Sequence, residues 1–488
     1  MFRRGSRGLV RALERAENPL QMIGQTLSAE GHGPVIGWTA DGYPVVVSSR
    51  TSSLILGRSG SGKTRGVLTG AIWSWPGPVI ATTTKPDLPH SCAAVRARVG
   101  RVAVFAPAGV EAIPAGCVEL RWSPLASAQD YARADQIARQ MTGAATPGSG
   151  RNETAQHFSD RAADALGAML HAAALGNLGM AQVVAWVDTQ DFKTPATYLK
   201  RSVVARDVLA GVERLEARER GGVMGTATRA IRAWRFDAPR RASTPPNEGD
   251  ESARWLDADK FAASAADTIL IVCPSEDADQ IAPLVVGLLE DLRRSIYRQS
   301  ARVVADARAE GDLAVERREP PVLAALDELA NIAPWPALPA VLTEGGGRGL
   351  IVSGVLQDLS QARERWGHQG ASLPSLAGDL VVLEGVRDPH TLELLSTILG
   401  EVWEPVQTVS EGESASYAPG GVMASGRGRS RGRSVTPQRM PAMSAGQISQ
   451  IAPGTALVIQ RGQSWGMIEL GNWDQHPAWQ AIARRRAA

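Results

Sequence analysis

The chain has 488 residues, of which 44% are hydrophobic and 21% charged, a balance that excludes a wholly disordered polypeptide. At roughly 100–200 residues per domain it has room for two to four domains, or for one large core with insertions. The 52 basic and 50 acidic residues nearly cancel, so the net charge of +2 singles out no class of partner. Only five of the basic residues are lysine (63, 85, 193, 200 and 260), a ratio that follows a GC-rich genome.

Cys92, Cys117 and Cys273 are odd in number and far apart, with no paired spacing, which argues against a disulfide framework or a zinc site and fits a reducing cytoplasm. No run reaches the roughly 18 apolar residues that a spanning helix needs. The opening charges are not followed by an apolar stretch, so they are not a signal peptide. Arg3, Arg4, Arg7, Arg11 and Arg15 around Leu9, Val10 and Leu13 have the form of a weakly basic amphipathic helix, a weak membrane contact at most.

Residues 1–50 read as a leader ending in a short strand, Tyr43–Val47. The apolar runs Leu54–Leu56, Pro78–Thr82 and Val102–Phe105, separated by helix-length segments, predict a parallel α/β sheet. From about Ser127 to Arg241 the sequence turns helical. Phe158, Ala162, Leu166, Leu170 and Ala173 mark one buried face, and Thr142–Gly150 reads as a loop. The division expected is a nucleotide-binding domain in two parts, 51–126 and 261–475, with an all-α domain inserted at 127–260 and a tail at 476–488. The second part has strands at Thr268–Cys273, Val322–Leu326, Leu350–Val355 and Leu380–Leu383, a helix at Ile281–Tyr297 and a terminal hairpin of Ala456–Ile459 with Met467–Leu470. Glu411–Gln438, rich in Gly, Ser and Arg, reads as a mobile loop.

Gly57-Arg58-Ser59-Gly60-Ser61-Gly62-Lys63-Thr64 matches G-x-x-x-x-G-K-[ST] at every fixed position, after an apolar strand and before a helix that continues with Arg65. Such a loop curls its N–H groups around phosphates, with the helix dipole behind them. Lys63 supplies charge to the β- and γ-phosphates of ATP, and Thr64 offers a hydroxyl to Mg²⁺. The run Val322–Leu326 ends in Asp327-Glu328, the form of a Walker B strand. Asp327 is placed on the metal, and Glu328 as the group that orients or deprotonates the attacking water. Downstream, Arg348 sits on the turn Glu344-Gly345-Gly346-Gly347-Arg348-Gly349, and Gln357 ends the next strand. Either could serve the γ-phosphate, Arg348 from a neighbouring subunit, and either could equally be a plain surface or strand-end residue.

At these residues the chain resembles the type IV secretion coupling proteins, the TraG/TraD family of conjugative ATPases. The likeness rests on the phosphate loop, on Leu326-Asp327-Glu328-Leu329-Ala330-Asn331-Ile332, on Val355-Leu356-Gln357-Asp358-Leu359-Ser360-Gln361 and on Asp388-Pro389-His390-Thr391 leading to Leu399-Gly400. It spans roughly residues 50–475. The resemblance implies a RecA-like domain with an inserted all-α domain, a homo-hexameric ring, Arg348 acting in trans and Gln357 sensing the γ-phosphate. It implies ATP-driven movement of DNA and docking of a relaxase–DNA substrate to a type IV secretion channel. Two features depart from the family. Many members carry N-terminal transmembrane helices and none is seen here, which suggests a cytoplasmic protein recruited to the inner face of the cell membrane by a partner. Thr83-Thr84-Lys85-Pro86-Asp87 stands where many members have Asp-x-Lys-Gly-Glu, a block whose role Lys85 and Asp87 could keep.

Arg427, Arg429, Arg431 and Arg433 alternate with Gly and Ser, a composition that can lie along DNA phosphates without reading sequence, or simply remain solvated. Two other functions compete with the motor: a nucleotide-gated adaptor with little hydrolysis, and an FtsK-like double-stranded DNA pump. Glu328 and the Leu326–Asn331 and Val355–Asp358 blocks favour the motor.

Overall fold

The computed structural model describes residues 32–110, 112–146, 153–415, 427–460 and 465–484. In chain order its strands are β1 (His32–Trp38), β2 (Pro44–Ser48), β3 (Ser53–Leu56), β4 (Val79–Thr83), β5 (Val102–Phe105), β6 (Val118–Arg121), β7 (Ala253–Trp255), β8 (Thr268–Val272), β9 (Val322–Leu326), β10 (Leu350–Leu356), β11 (Asp379–Leu383), β12 (Glu401–Ala415), β13 (Arg427–Pro441), β14 (Thr455–Gln460) and β15 (Trp465–Glu469). All but β12 and β13 join one sheet, in the order β2-β1-β15-β14-β11-β3-β10-β9-β4-β8-β5-β6-β7. From β11 to β7 every neighbouring pair is parallel, whereas β14, β15, β1 and β2 extend the sheet antiparallel. The central strands are short unbroken apolar runs because both faces are covered: β3, β4, β8, β9, β10 and β11 are buried at every position. The expected α/β fold with a parallel-rich sheet is what forms.

Between the paired strands β6 and β7 the chain leaves the sheet for helices running from Tyr131–Ala144 to Asp237–Ala242. Helix Glu153–Leu175 buries Ala162, Leu166, Leu170 and Ala173, the periodic face read from the sequence. Residues 142–144, expected in a loop, finish helix Tyr131–Ala144, and 147–150 lie outside the described residues. Helix Ala278–Ala309 runs well past Tyr297, because the Ala- and Arg-rich stretch after it is made of good helix formers.

Two further expectations are corrected. The segment from residue 476, expected as a tail, forms helix Pro477–Arg484. Its Ala478, Trp479 and Ile482 are fully buried in the core that also holds Trp38 and Trp73. The Trp479 ring meets Trp38 and Trp73 edge-on at 5.6 and 6.2 Å, and His476 stacks on Trp38 at 4.1 Å. The Arg/Gly/Ser-rich stretch, expected as a mobile loop, carries β13, which pairs antiparallel with β12 as a two-stranded ribbon. In the backbone register Arg427, Arg429, Arg431 and Arg433 stand opposite Ala415, Glu413, Glu411 and Val409. Residues 416–426, the opening basic segment and Arg461-Gly462 lie outside the described residues.

The chain divides into two compact units, one of residues up to Val386 together with those from Ile451 on, and one of Arg387–Gln450. The second holds the ribbon, helix Pro389–Leu399 capped by Asp388, and helix Ala445–Ser449 closed by a Ser444–Gln447 capping box. In the first, a fully buried arginine ties helix to sheet. Arg96 donates to the Trp75, Gly77 and Ala266 carbonyls and to Thr268 Oγ1 at 2.5–2.9 Å. Burial lowers its pKa to about 10, which leaves it charged at neutral pH. Among the described residues no helix is long and apolar enough to cross a membrane.

Burial holds the His476 imidazole down, from 6.5 to about 4. The folded chain therefore resists a proton that the unfolded chain accepts. Stability from this site is complete above about pH 6.5 and is lost as pH falls towards about 4. His476→Phe, which keeps the stacking ring, should flatten the fall in denaturation midpoint over that window. An unchanged acid slope would contradict this.

Candidate active site

Gly57 follows β3, and its N–H donates to the Leu356 and Gln357 carbonyls at the end of neighbouring β10. The loop then turns through Gly60 and Gly62 at φ of +81° and +92°, a backbone region costly for any side chain. Gly62 leads directly into helical residues Lys63–Leu68, continued by Thr69–Ser74, so several backbone N–H groups and a helix start face one spot. Lys63 is buried at that spot, and its Nζ donates to the Gly57 and Arg58 carbonyls at 2.5 and 2.7 Å. Burial lowers its pKa, opposed by the nearby charges of Glu328 and Asp327. Ser61 Oγ is buried in the same loop and has no hydrogen-bond partner.

β9 lies one strand from β3, across β10, and delivers Asp327 to this loop. Thr64 Oγ1 donates to Asp327 Oδ2 at 2.6 Å, and Thr82 Oγ1 at the end of β4 donates to the Asp327 carbonyl at 2.8 Å. Burial raises the Asp327 pKa; the bond from Thr64 opposes that rise and the Glu328 charge adds to it. Glu328 has φ of +48°, a left-handed conformation rare outside glycine. The turn throws its carboxylate beside that of Asp327, and Asn331 Nδ2 holds Glu328 Oε2 at 3.1 Å. The strain is sustained by the buried strand before it and helix Leu329–Ile332 after it.

Ser59 to Arg65, Asp327 and Glu328 all line one cavity of about 700 Å³. Arg58 is half exposed and paired with Glu384 at 3.2 Å. Arg65 forms an ion pair with Asp474, Nε to Oδ1 at 2.7 Å. Gln357 does not line the cavity, but its carbonyl accepts the Gly57 N–H at 3.1 Å, so it borders the loop directly. Arg348 lies apart. It precedes β10, about 20 Å of strand away from the loop. It is 56% exposed, 3.7 Å from Glu344 and over the Tyr297 ring at 5.0 Å. Its turn is pressed against the Arg50 backbone, where a side chain at Gly346 would come within 1.9 Å of the Arg50 carbonyl oxygen.

Two walls complete the cavity, and only one of them was marked in the sequence. Thr83, Lys85 and Asp87, the divergent segment after β4, form one, and Pro453, Leu470 and Trp473 belong to the other. The second has no motif to mark it. It is visible only once β14 and β15 are known to join the sheet beside β11.

A nucleoside triphosphate with Mg²⁺ fits this donor set. The loop offers N–H groups, a buried ammonium and an unpartnered serine hydroxyl to phosphate oxygens. Thr64 Oγ1 and Asp327 Oδ2 form a hard oxygen pair suited to Mg²⁺.

Residues 321–453 match a family model described as the TraM recognition site of TraD and TraG. No curated protein matches the sequence significantly. The fold matches solved structures of the bacterial conjugative coupling protein TrwB. A trigonal form with sulphate has a TM-score of 0.63 at 17% identity, over 93% of this chain and 94% of that one. A complex with ADP and Mg²⁺ has a TM-score of 0.60 at 18% identity over the same shares, and a complex with a non-hydrolysable ATP analogue 0.61 at 17% over 92% of each chain. At such identities the likeness establishes fold, a RecA-like domain with an all-α insertion. The chain is thus similar in fold to TrwB along most of its length, and residues 321–453 are similar in sequence to the TraM recognition site of TraD and TraG.

Proposed function

We propose that the protein is a Mg²⁺-dependent ATPase that moves DNA, coupling a relaxase–DNA substrate to a type IV secretion channel during conjugation. The observation that carries the hydrolytic part is the convergence of Lys63, Thr64, Asp327 and Glu328 on one cavity, with Glu328 held in a strained turn beside a metal-type carboxylate. A protein that only bound nucleotide would have no need of that second carboxylate.

In this reading the loop N–H groups, Lys63 and Ser61 hold the phosphates, while Thr64 and Asp327 hold Mg²⁺. Held there, Mg²⁺ would supply charge neutralisation to the phosphates. Glu328, steadied by Asn331, accepts the proton of the attacking water. Gln357 reports the state of the γ-phosphate, since its backbone is bonded to the loop at Gly57. Arg348, too far to serve its own site, acts in the site of the next subunit of a homo-hexameric ring. The coupling role rests on the matched segment, through which residues 321–453 would engage a counterpart of TraM. DNA is held by its backbone, without regard to sequence, and the ring works at the inner face of the membrane through a partner protein.

Mg²⁺-ATP turnover by the oligomer should rise on adding single- or double-stranded DNA, and Glu328→Gln should cut it by at least about 100-fold while ATP still binds. A wild-type oligomer inert with every DNA would defeat the motor reading; unimpaired turnover in Glu328→Gln would defeat the role given to that residue.

The buried Asp327 carboxylate also predicts a sign. Its raised pKa means that the folded chain holds a proton more tightly than the unfolded one. Stability from this site is therefore greatest at acid pH and is lost as pH rises through the raised value. Asp327→Asn has no charge to bury. It should raise the melting temperature of the nucleotide-free protein at neutral pH while removing the Mg²⁺ dependence of ATP binding. A lower melting temperature for that variant would contradict the assignment.

A further inference from the structure

The cavity has two sides, and the sheet order tells them apart. The loop after β3 lies in its middle. On one side come β10, β9 and β4, whose ends supply Asp327, Glu328 and the segment from Thr83. On the other come β11, β14 and β15. β11 is parallel to β3, β14 antiparallel to β11, and β15 antiparallel to β14. The start of β14 and the end of β15 therefore arrive at the edge where β3 releases the loop. They bring Pro453 and Gly454, and Leu470, Asn472 and Trp473.

A triphosphate lying on the loop with its metal at Thr64 and Asp327 has its γ end on the acidic side. Its nucleoside must leave towards the other. We infer that Pro453, Leu470 and Trp473 form the wall against which the nucleobase stacks, an assignment that rests on the nucleotide-site reading above.

Several contacts bring this wall against the phosphate loop. Leu470 packs on the first helical turn: a Cβ at Gly62 would lie 3.4 Å from Leu470 Cδ1, and one at Gly66 3.1 Å from Leu470 Cβ. Any side chain at Gly66 would push the wall away. The Trp473 N–H donates to the Arg65 carbonyl at 3.3 Å, and the Arg65–Asp474 ion pair fastens the next residue. Behind the wall, the Trp473 ring lies 5.7 Å from Trp73, and buried Trp479 supports Trp73 in turn. The wall is thus built by residues within 453–474, which come after the rest of the site in the sequence.

Its chemistry is that of faces. Pro453, Leu470 and Trp473 offer apolar surface. The polar side chains on this side are engaged elsewhere: Glu384 accepts from Arg58 at 3.2 Å, and Asn472 donates within its own turn to Gln475 Oε1 at 3.1 Å and sets its Oδ1 towards Gly66. Stacking accepts any purine, because every base has a π face, whereas telling adenine from guanine requires edge hydrogen bonds. The site therefore accepts ATP and GTP alike.

The test is calorimetric titration of the full chain, with Mg²⁺, against ATP, GTP and inorganic tripolyphosphate, which has no base. Wild type should bind ATP and GTP within about threefold of each other and both at least about tenfold more tightly than tripolyphosphate. Trp473→Leu should weaken ATP and GTP about tenfold and leave tripolyphosphate within about twofold; Trp473→Phe should restore most of the loss. Tripolyphosphate also shows that each variant keeps an intact phosphate loop. The inference fails if Trp473→Leu leaves ATP affinity unchanged, if it weakens tripolyphosphate as much as ATP, or if wild type favours one purine tenfold. A wild-type chain that binds neither ATP nor tripolyphosphate would overturn the underlying nucleotide reading instead.

Discussion

The hydrogen bond from Thr64 to Asp327 joins residues 263 positions apart and fixes the geometry on which the remainder of the site depends. It forms because β3 and β9 are separated only by β10 in a parallel sheet, so that both release their loops at the same edge. That edge holds a buried ammonium and a buried carboxylate. Taking such groups out of water costs several kcal/mol per ion unless partners compensate. Here the partners are backbone carbonyls for Lys63 and hydroxyl and N–H donors for Asp327. Burial still lowers the one pKa and raises the other. A site carrying this electrostatic cost in the free protein is suited to a ligand that brings both phosphate oxygens and a cation.

β10 extends that logic to assembly. One end of the strand meets the phosphate loop through Gln357, and the other begins beside Arg348, exposed on its glycine turn. The strand is buried along its whole length and hydrogen-bonded on both edges, to β3 and β9. If Gln357 senses the γ-phosphate and Arg348 acts in trans, as proposed, this one strand would link the two. In a ring this would connect the state of one site to the arginine offered to the next.

The parts of this architecture that were legible in the sequence are those set by local pattern. Val322–Leu326 was bounded to the residue, since a short buried parallel strand is an unbroken apolar run closed by charge. The phosphate loop and the acidic pair declared themselves by residue type and spacing. What escaped depended on distant partners. β1, His-Gly-Pro-Val-Ile-Gly-Trp, fell within the stretch read as a leader, and its glycines make sense only against β2 and β15, where a Cβ at Gly37 would lie 2.5 Å from Ile468. The ribbon has no apolar stripe. Its signal was the period-two alternation of arginines, two of which take register positions opposite Glu411 and Glu413. In the final helix, Ala478, Trp479 and Ile482 fall on one face, but eight residues are too few to mark a helix without the tryptophan cluster that receives them.

The placement of Arg348 at the far end of β10 from its own phosphate loop makes shared sites between subunits the central claim. Mixing Glu328→Gln chains with Arg348→Ala chains and measuring ATP turnover tests it most directly. Each variant alone should be inactive. In a randomly mixed equimolar ring, about a quarter of sites pair an intact Glu328 with a neighbour's intact Arg348, and a corresponding fraction of wild-type turnover should return. No recovery in rings shown to contain both chains would contradict the account.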